Sequence, residues 1–134
     1  MNLQVGVKLI IRSNDGQILM LRRSGYGDLD GSWDIPGGRI DASEDLLTAL
    51  NREIREEIGL ELQGLPKLLA AQDIFPKGKE LHVVRLTYLL DTAAIDVESL
   101  SLSHEHSMAA YVLPFQLSRV DTDPLILEVT DTLA

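Results

Sequence analysis

The stretch Gly38 to Leu60, GRIDASEDLLTALNREIREEIGL, constrains the chain more than any other. It reads as a glycine turn, a helix rich in carboxylates and a glycine stop. Glu53, Glu56 and Glu57 stand at i, i+3 and i+4, so on a helix they share one face. At ~100° per residue they span an arc of about 100°, and Leu47, Leu50, Ile54 and Ile58 fill an apolar arc beside it. Such a helix packs by one stripe and gathers three like charges on the next. Each like-charge pair costs roughly 0.2–0.5 kcal/mol in an isolated helix. On spacing alone two readings stand. One is a solvated acidic face, the usual meaning of a charge run. The other is a cation site, in which hard oxygen ligands select Mg²⁺ or Mn²⁺ over zinc.

The rest of the chain supplies strands around this helix. Leu3, Val5, Val7, Leu9 and Ile11 alternate with more polar residues, the pattern of a strand with one apolar face. Ser13-Asn14-Asp15-Gly16 is turn chemistry, and Gln17 to Arg23 reads as the returning strand. Ser24 to Gly31 is a glycine- and aspartate-rich loop, long enough to act as a mobile wall. Trp33 to Pro36 reads as one short strand ending in Gly37-Gly38. Asp41 with Glu44 resembles a capping box, Ser43 competes as N-cap, and the helix is expected from about Ala42 to Ile58 with Gly59 as its left-handed stop. Two strands follow, Lys67 to Phe75 and Leu81 to Leu90, joined by a Pro-Lys-Gly-Lys turn. His82 falls in the second as a strand residue near an edge rather than a ligand. An irregular connection from Asp91 to Ser103 leads to a short strand, Ala109 to Leu113, stopped by Pro114. Asp123-Pro124 then opens a short helix spaced by Leu125, Val129 and Leu133. A mixed sheet with a helix on each side fits this order.

Composition narrows the functions. The 134 residues suit one domain, 1–134, large enough to fold without disulfides or a structural metal. The absence of cysteine excludes disulfides and thiolate chemistry, and a reducing, cytoplasmic setting is expected. The start MNLQVGVKLIIRS lacks a basic region and is broken by polar residues, so no signal peptide is expected, and no apolar run approaches the ~18 residues of a membrane span. A net charge of −9 makes duplex nucleic acid an unexpected partner. Phosphates remain accessible to an acidic protein through bridging metal ions.

Gly38, then five residues, Glu44, seven residues, and Arg52-Glu53-Ile54-Arg55-Glu56-Glu57-Ile58-Gly59-Leu60 match the Nudix signature at every fixed position. The chain resembles the Nudix hydrolases, and its size and N-terminal pattern look most like the MutT-like nucleotide pyrophosphohydrolases. The resemblance implies an α/β (α+β) fold, an α/β/α sandwich around a mixed sheet. It also implies Mg²⁺-dependent (or Mn²⁺-dependent) hydrolysis of a small nucleotide substrate, a nucleoside triphosphate giving nucleoside monophosphate and pyrophosphate. Glu53, Glu56 and Glu57 would be metal ligands, completed by the Gly37 carbonyl. Arg52, counted with the catalytic set, and Glu44 would brace the helix through a bidentate bond. Gly38 and Gly59 would be structural. Arg22, Arg23 and Arg39 lie where such proteins place phosphate contacts, with solvated surface arginines as the plain alternative. Glu105 resembles the loop glutamate that serves as base or extra ligand. Its neighbours His104 and His106 read as polar loop residues, since zinc would need a further ligand. Trp33 reads as core, with a second role at the edge of a base pocket. Asp123 reads as an N-cap, with a base contact as its second role.

Other readings stay in view. ADP-ribose hydrolases that resemble this box usually carry a substantial extra N-terminal region, and two strands precede the box here. The NADH type carries a downstream aromatic–proline array that is absent, and the dinucleoside polyphosphate type a tyrosine soon after the box, where the first here is Tyr88. Diphosphate isomerases of this fold rely on a cysteine that this chain lacks. A non-catalytic nucleotide-binding module would be expected to lose box carboxylates, and all four glutamates are present.

Overall fold

The computed structural model describes residues 1–25, 27 and 30–133. Tyr26, Asp28 and Leu29, three members of the expected loop wall, lie outside the described residues, as does Ala134. In chain order the strands are β1 (Asn2–Arg12), β2 (Ile18–Arg23), β3 (Trp33–Asp34), β4 (Gly37–Arg39), β5 (Lys67–Ile74), β6 (Leu81–Asp91) and β7 (His106–Val112). The helices are α1 (Leu46–Ile58) and α2 (Pro124–Thr130), with 3-10 turns at Val97–Ser99, Pro114–Arg119 and Asp131–Leu133.

The sheet is mixed, as expected. Its spine is a parallel pair, β1 with β6, in register from Asn2↔Leu81 to Arg12↔Asp91. β5 closes the far side of β6 antiparallel. On the other side β1 and β2 share a single pairing, Arg12↔Ile18, and then diverge. Two short strands fill the opening. β3 pairs with β2 at Leu21↔Asp34 and Arg22↔Trp33, and β4 pairs with β1 from Gly6↔Arg39 to Lys8↔Gly37. The expected single strand at Trp33–Pro36 is therefore two strands serving different partners. Pro36 has no N–H to donate and sits at the switch, where its carbonyl accepts from Leu9 at 2.9 Å. β7 lies antiparallel on the outer edge of β2 and begins at His106, three residues before the expected start.

Both faces of the sheet are buried. Under α1, Val7, Leu9, Ile11, Leu19 and Leu21 pack with Ala49, Leu50, Ile54, Ile58, Tyr88 and Leu90. On the opposite face, Ile10, Ile18, Met20 and Ile35 pack with Leu117, Ile126 and Val129. This is the α/β/α sandwich. It corrects the one-faced reading of β1, because Ile10 is fully buried against the second layer while Leu3, outside the α1 cluster, is 63% exposed. α2 buries Ile126, Val129 and Thr130, a face offset from the expected Leu125, Val129 and Leu133. α1 also starts later than the sequence suggests. Ser43 takes a left-handed φ of 70°, and Asp45 becomes the N-cap by accepting the Thr48 N–H at 2.8 Å. The Asp41 N–H does donate to Glu44 Oε1, at 2.9 Å, but this bond forms in the turn before the helix. Gly59 ends α1 with φ 69°, as expected. Among the described residues no helix is long and apolar enough to cross a membrane.

The two-sided burial fixes a stability test. Leu9→Ala should cost about 2–5 kcal/mol in urea unfolding, the usual price of a large core cavity. Leu3→Ala should stay within about 0.5 kcal/mol, as for a surface change. Equal losses at the two positions would contradict the assigned packing.

Candidate active site

The site grows from the close approach of β4 to α1. A Cβ on Gly37, whose φ is 146°, would lie 2.1 Å from the Val7 carbonyl oxygen. A Cβ on Gly38 would lie 2.5 Å from the Glu53 carboxylate. Only glycines leave room for the strand beside β1 and for the acidic helix face above it. The Gly37 N–H then donates to Glu57 Oε2 at 3.0 Å, tying the strand to the end of the acidic face.

Arg52 organises the remaining carboxylates. Its guanidinium grips Glu44 in a bidentate bond, Nε to Oε2 at 2.7 Å and Nη2 to Oε1 at 3.0 Å. Nη1 donates to Glu53 at 3.0 Å and to Glu56 at 3.3 Å, and Nη2 to the Arg39 carbonyl at 3.1 Å. Arg52 chiefly, with the Asp41 N–H, holds the Glu44 carboxyl down at about 2. Burial pushes Glu53 up from its ordinary value, with Arg52 opposing. Burial pushes Glu57 further, to about 8, against the pull of Lys8 and the Gly37 N–H. A nearby cation would favour the ionised form of a carboxylate desolvated in this way.

The carboxylates open into a cleft of ≈ 560 Å³ lined also by Lys8, Arg23, Arg39, Gly37, Gly38 and Glu105. Glu105 arrives on a loop held by the end of α1 and by the residue that follows β2: the Ser103 N–H donates to the Glu57 carbonyl at 2.9 Å, and the Ser24 N–H to the Glu105 carbonyl at 2.8 Å. Glu53, Glu56, Glu57, Glu105, Gly37, Arg23 and Arg39 thus meet in one cleft. Arg52 and Glu44 stand behind it as a brace, and Gly59 caps the helix away from it. Arg22 does not enter the cleft. The pairing of β2 with β7 is irregular between Arg22 and Arg23, and Arg22 is exposed while Arg23 lines the cleft. Trp33 packs against the α2-side core instead of the cleft. Asp123 caps α2, with Oδ1 accepting the Leu125 N–H at 2.9 Å.

Several residues of the site escaped the sequence reading. Asp34 is buried beneath the cleft, with Lys8 Nζ and Arg23 Nη2 both 2.7 Å from its Oδ2. Those two cations hold it at about 2, although burial alone would push it up. His106 is buried at the cleft wall, and its Nδ1 has no hydrogen-bond partner among the described residues. A second cleft, of ≈ 230 Å³, adjoins the first across β4 and shares Lys8, Gly38 and Arg39 with it. Arg85 lines this second cleft and pairs with Asp123 at 3.2 Å. The one sequence signal for Lys8 is a cation set among the apolar residues of β1.

Among the described residues no three acidic or histidine side chains already converge in metal-holding geometry. Their oxygens are engaged by Arg52 and by the Gly37 N–H. The donor set nevertheless fits a hard divalent cation: carboxylate oxygens on one helix face, and a glycine cradle that keeps side-chain bulk away. Glu57 gives a pH test. Its folded pKa of about 8 lies above its ordinary 4.5, so between those values the native state holds a proton that the unfolded chain has lost. Stability is therefore lost as pH rises through that window. In chelator, urea midpoints of Glu57→Gln relative to wild type should improve steadily from about pH 4.5 to about pH 8. A pH-independent difference would contradict the burial of this charge.

Comparison with known proteins agrees with this geometry. A family model for the NUDIX domain matches residues 2–130. The chain is 39% identical over 79 residues to the CTP pyrophosphohydrolase of Escherichia coli K12, covering 59% of this chain and 58% of that protein. It is 43% identical over 54 residues to the RNA pyrophosphohydrolase of Halorhodospira halophila, covering 40% of this chain and 28% of that one. The matches thus span less than two-thirds of either relative. The structure superposes on that of the MutT protein from Methanosarcina mazei Go1 with a TM-score of 0.81 at 24% identity, over 98% of this chain and 92% of the other, which shows a shared fold. With the family match running over nearly the whole chain and the acidic helix built into the cleft, the protein belongs to the NUDIX domain family.

Proposed function

We propose that the protein is a Mg²⁺-dependent Nudix hydrolase that cleaves a nucleoside triphosphate to nucleoside monophosphate and pyrophosphate. The observation that carries this reading is the meeting of Glu53, Glu56, Glu57 and Glu105 with Arg23, Arg39 and Lys8 in one open cleft. Carboxylates alone would hold metal, and cations alone would hold phosphate. Their juxtaposition suits a metal-bound polyphosphate.

Glu53, Glu56 and Glu57, with the Gly37 carbonyl, are the ligands for the metal. When bound, the metal neutralises phosphoryl charge and acidifies water. Arg52 sets the rotamers of Glu53 and Glu56 from behind and has no need to touch substrate. Arg23 and Arg39 contact phosphate oxygens. Glu105 accepts a proton as water oxygen bonds to phosphorus and the bridging P–O bond breaks. The nucleoside extends into the second cleft, where Arg85, oriented by Asp123, offers donors to a base edge. The relative named for CTP supports a pyrimidine among the candidates.

The deciding experiment incubates the protein and Mg²⁺ with canonical and oxidised nucleoside triphosphates, ADP-ribose and a dinucleoside polyphosphate. One triphosphate should be clearly preferred, since a polar pocket rejects a mismatched base strongly. Pyrophosphate should appear with the monophosphate. Orthophosphate as first product rules out this bond cleavage, and turnover confined to ADP-ribose overturns the substrate.

Two sets of variants assign the roles. Glu56→Gln and Glu57→Gln should each lower turnover by about 10²-fold or more while the protein stays folded, the scale of a lost preorganised charge. Full activity of both at saturating Mg²⁺ would remove them from the ligand set. Glu105→Gln should lower kcat and flatten the acid limb of the pH–rate profile, with Mg²⁺ affinity unchanged. A raised Mg²⁺ requirement would instead make Glu105 a ligand.

A further inference from the structure

The parting of β1 and β2 leaves a gap bridged by side chains. Lys8 from β1 and Arg23 from β2 converge on one oxygen, Asp34 Oδ2, each at 2.7 Å. The other oxygen, Oδ1, accepts the Ile35 N–H at 2.8 Å. Lys8 also donates to the Ile35 carbonyl at 3.2 Å, and Arg23 Nη1 to Ser32 Oγ at 3.0 Å. All three side chains are largely buried, at 13%, 13% and 7% exposure for Lys8, Arg23 and Asp34, yet all three line the phosphate cleft.

Stability alone is a weak reason for such a cluster, because buried ion groups are often replaced by apolar residues without loss. Its charge count is informative. Two cations share one oxygen of Asp34 at the cleft and are fixed in place with little conformational freedom. Lys8 further stands at the wall common to the two clefts. It is also within electrostatic reach of Glu57 and Glu53. Without an anchor its flexible stem would swing to those carboxylates and compete for them.

We infer that Asp34 is a positioning residue for the phosphate cleft, fixing Lys8 and Arg23 as a paired polyphosphate contact and holding Lys8 away from Glu53 and Glu57. The inference rests on the proposed phosphate chemistry and adds Lys8 as a substrate contact. Replacing Asp34 should release two mutually repelling cations. Phosphate would then lose a preorganised site, and the carboxylates would gain an unwanted partner.

The test measures binding of inorganic pyrophosphate in Mg²⁺, and of Mg²⁺ alone, by calorimetry, with thermal unfolding to verify the fold. Asp34→Asn should weaken pyrophosphate binding about tenfold and Lys8→Met by a similar factor, the scale of a charge-assisted contact. Because Asp34 acts through Lys8 and Arg23, adding Asp34→Asn to Lys8→Met with Arg23→Gln should change pyrophosphate binding by less than about twofold. Asp34→Asn should also weaken Mg²⁺ binding, and Lys8→Met in that background should restore it. A merely structural Asp34 would not give that rescue. Pyrophosphate affinity within about twofold of wild type in folded Asp34→Asn, or an equal loss with and without the two cations, overturns the inference. If Asp34→Asn does not fold, Lys8→Met decides, since it leaves Asp34 paired with Arg23, and unchanged pyrophosphate affinity in it overturns the inference. Wild-type protein that binds Mg²⁺ and pyrophosphate but hydrolyses no triphosphate would overturn the proposed reaction and leave this inference standing.

Discussion

The structure depends on β1 serving two neighbours along one edge. After Arg12↔Ile18 the hairpin partner β2 turns away, and the freed edge of β1 must find other hydrogen bonds or leave buried backbone groups unpaired. β4 supplies them from Gly6 to Lys8, and the Pro36 carbonyl takes the next N–H, that of Leu9. The freed edge of β2 takes β3 in the same way. A sheet that opens at its centre exposes a seam, and polar chemistry collects there. Lys8, Arg23 and Asp34 occupy the seam because each stands on a different strand bordering it.

The acidic helix lies over that seam. Three glutamates on one face would weaken a helix left alone. Here the apolar stripe of Ala49, Leu50, Ile54 and Ile58 anchors the helix to the sheet regardless of the charges. Arg52 answers the acids at the middle of the face and the Gly37 N–H at its end. Glu57 remains the poorly solvated member, with its carboxyl at about 8. Burial energy thus holds in place a charge arrangement that electrostatics alone would disperse.

The two clefts meet at β4, the strand that carries Gly38 and Arg39. A three-residue strand containing two glycines makes a thin partition between them. Arg39 at its end contacts the Gln4 side chain and lines both spaces. Arg85, from β6, lines the second space and is paired from behind with Asp123, the N-cap of α2.

The sequence by itself determined what is written in local spacing. The i, i+3, i+4 glutamates, the Leu–Ile stripe, the glycine pair and Gly59 specify the acidic helix and its turn, because helical periodicity and backbone sterics act within a few residues. The bidentate Arg52–Glu44 bond was legible for the same reason, since both partners belong to one signature. The strands were legible as alternation, but the second buried face of β1 was not, because Ile10 is apolar only in the service of a layer formed by residues 117–129. The start of α1 was misplaced because Asp41, Ser43 and Asp45 all have capping chemistry, and the choice among them depends on how the chain leaves β4. Tertiary structure alone decided that Arg23 enters the cleft while Arg22 leaves it, that Asp34 lies between Lys8 and Arg23, and that Arg85 meets Asp123. Each of these joins residues from different strands or layers, and sequence spacing carries no record of which strand edges open and which close.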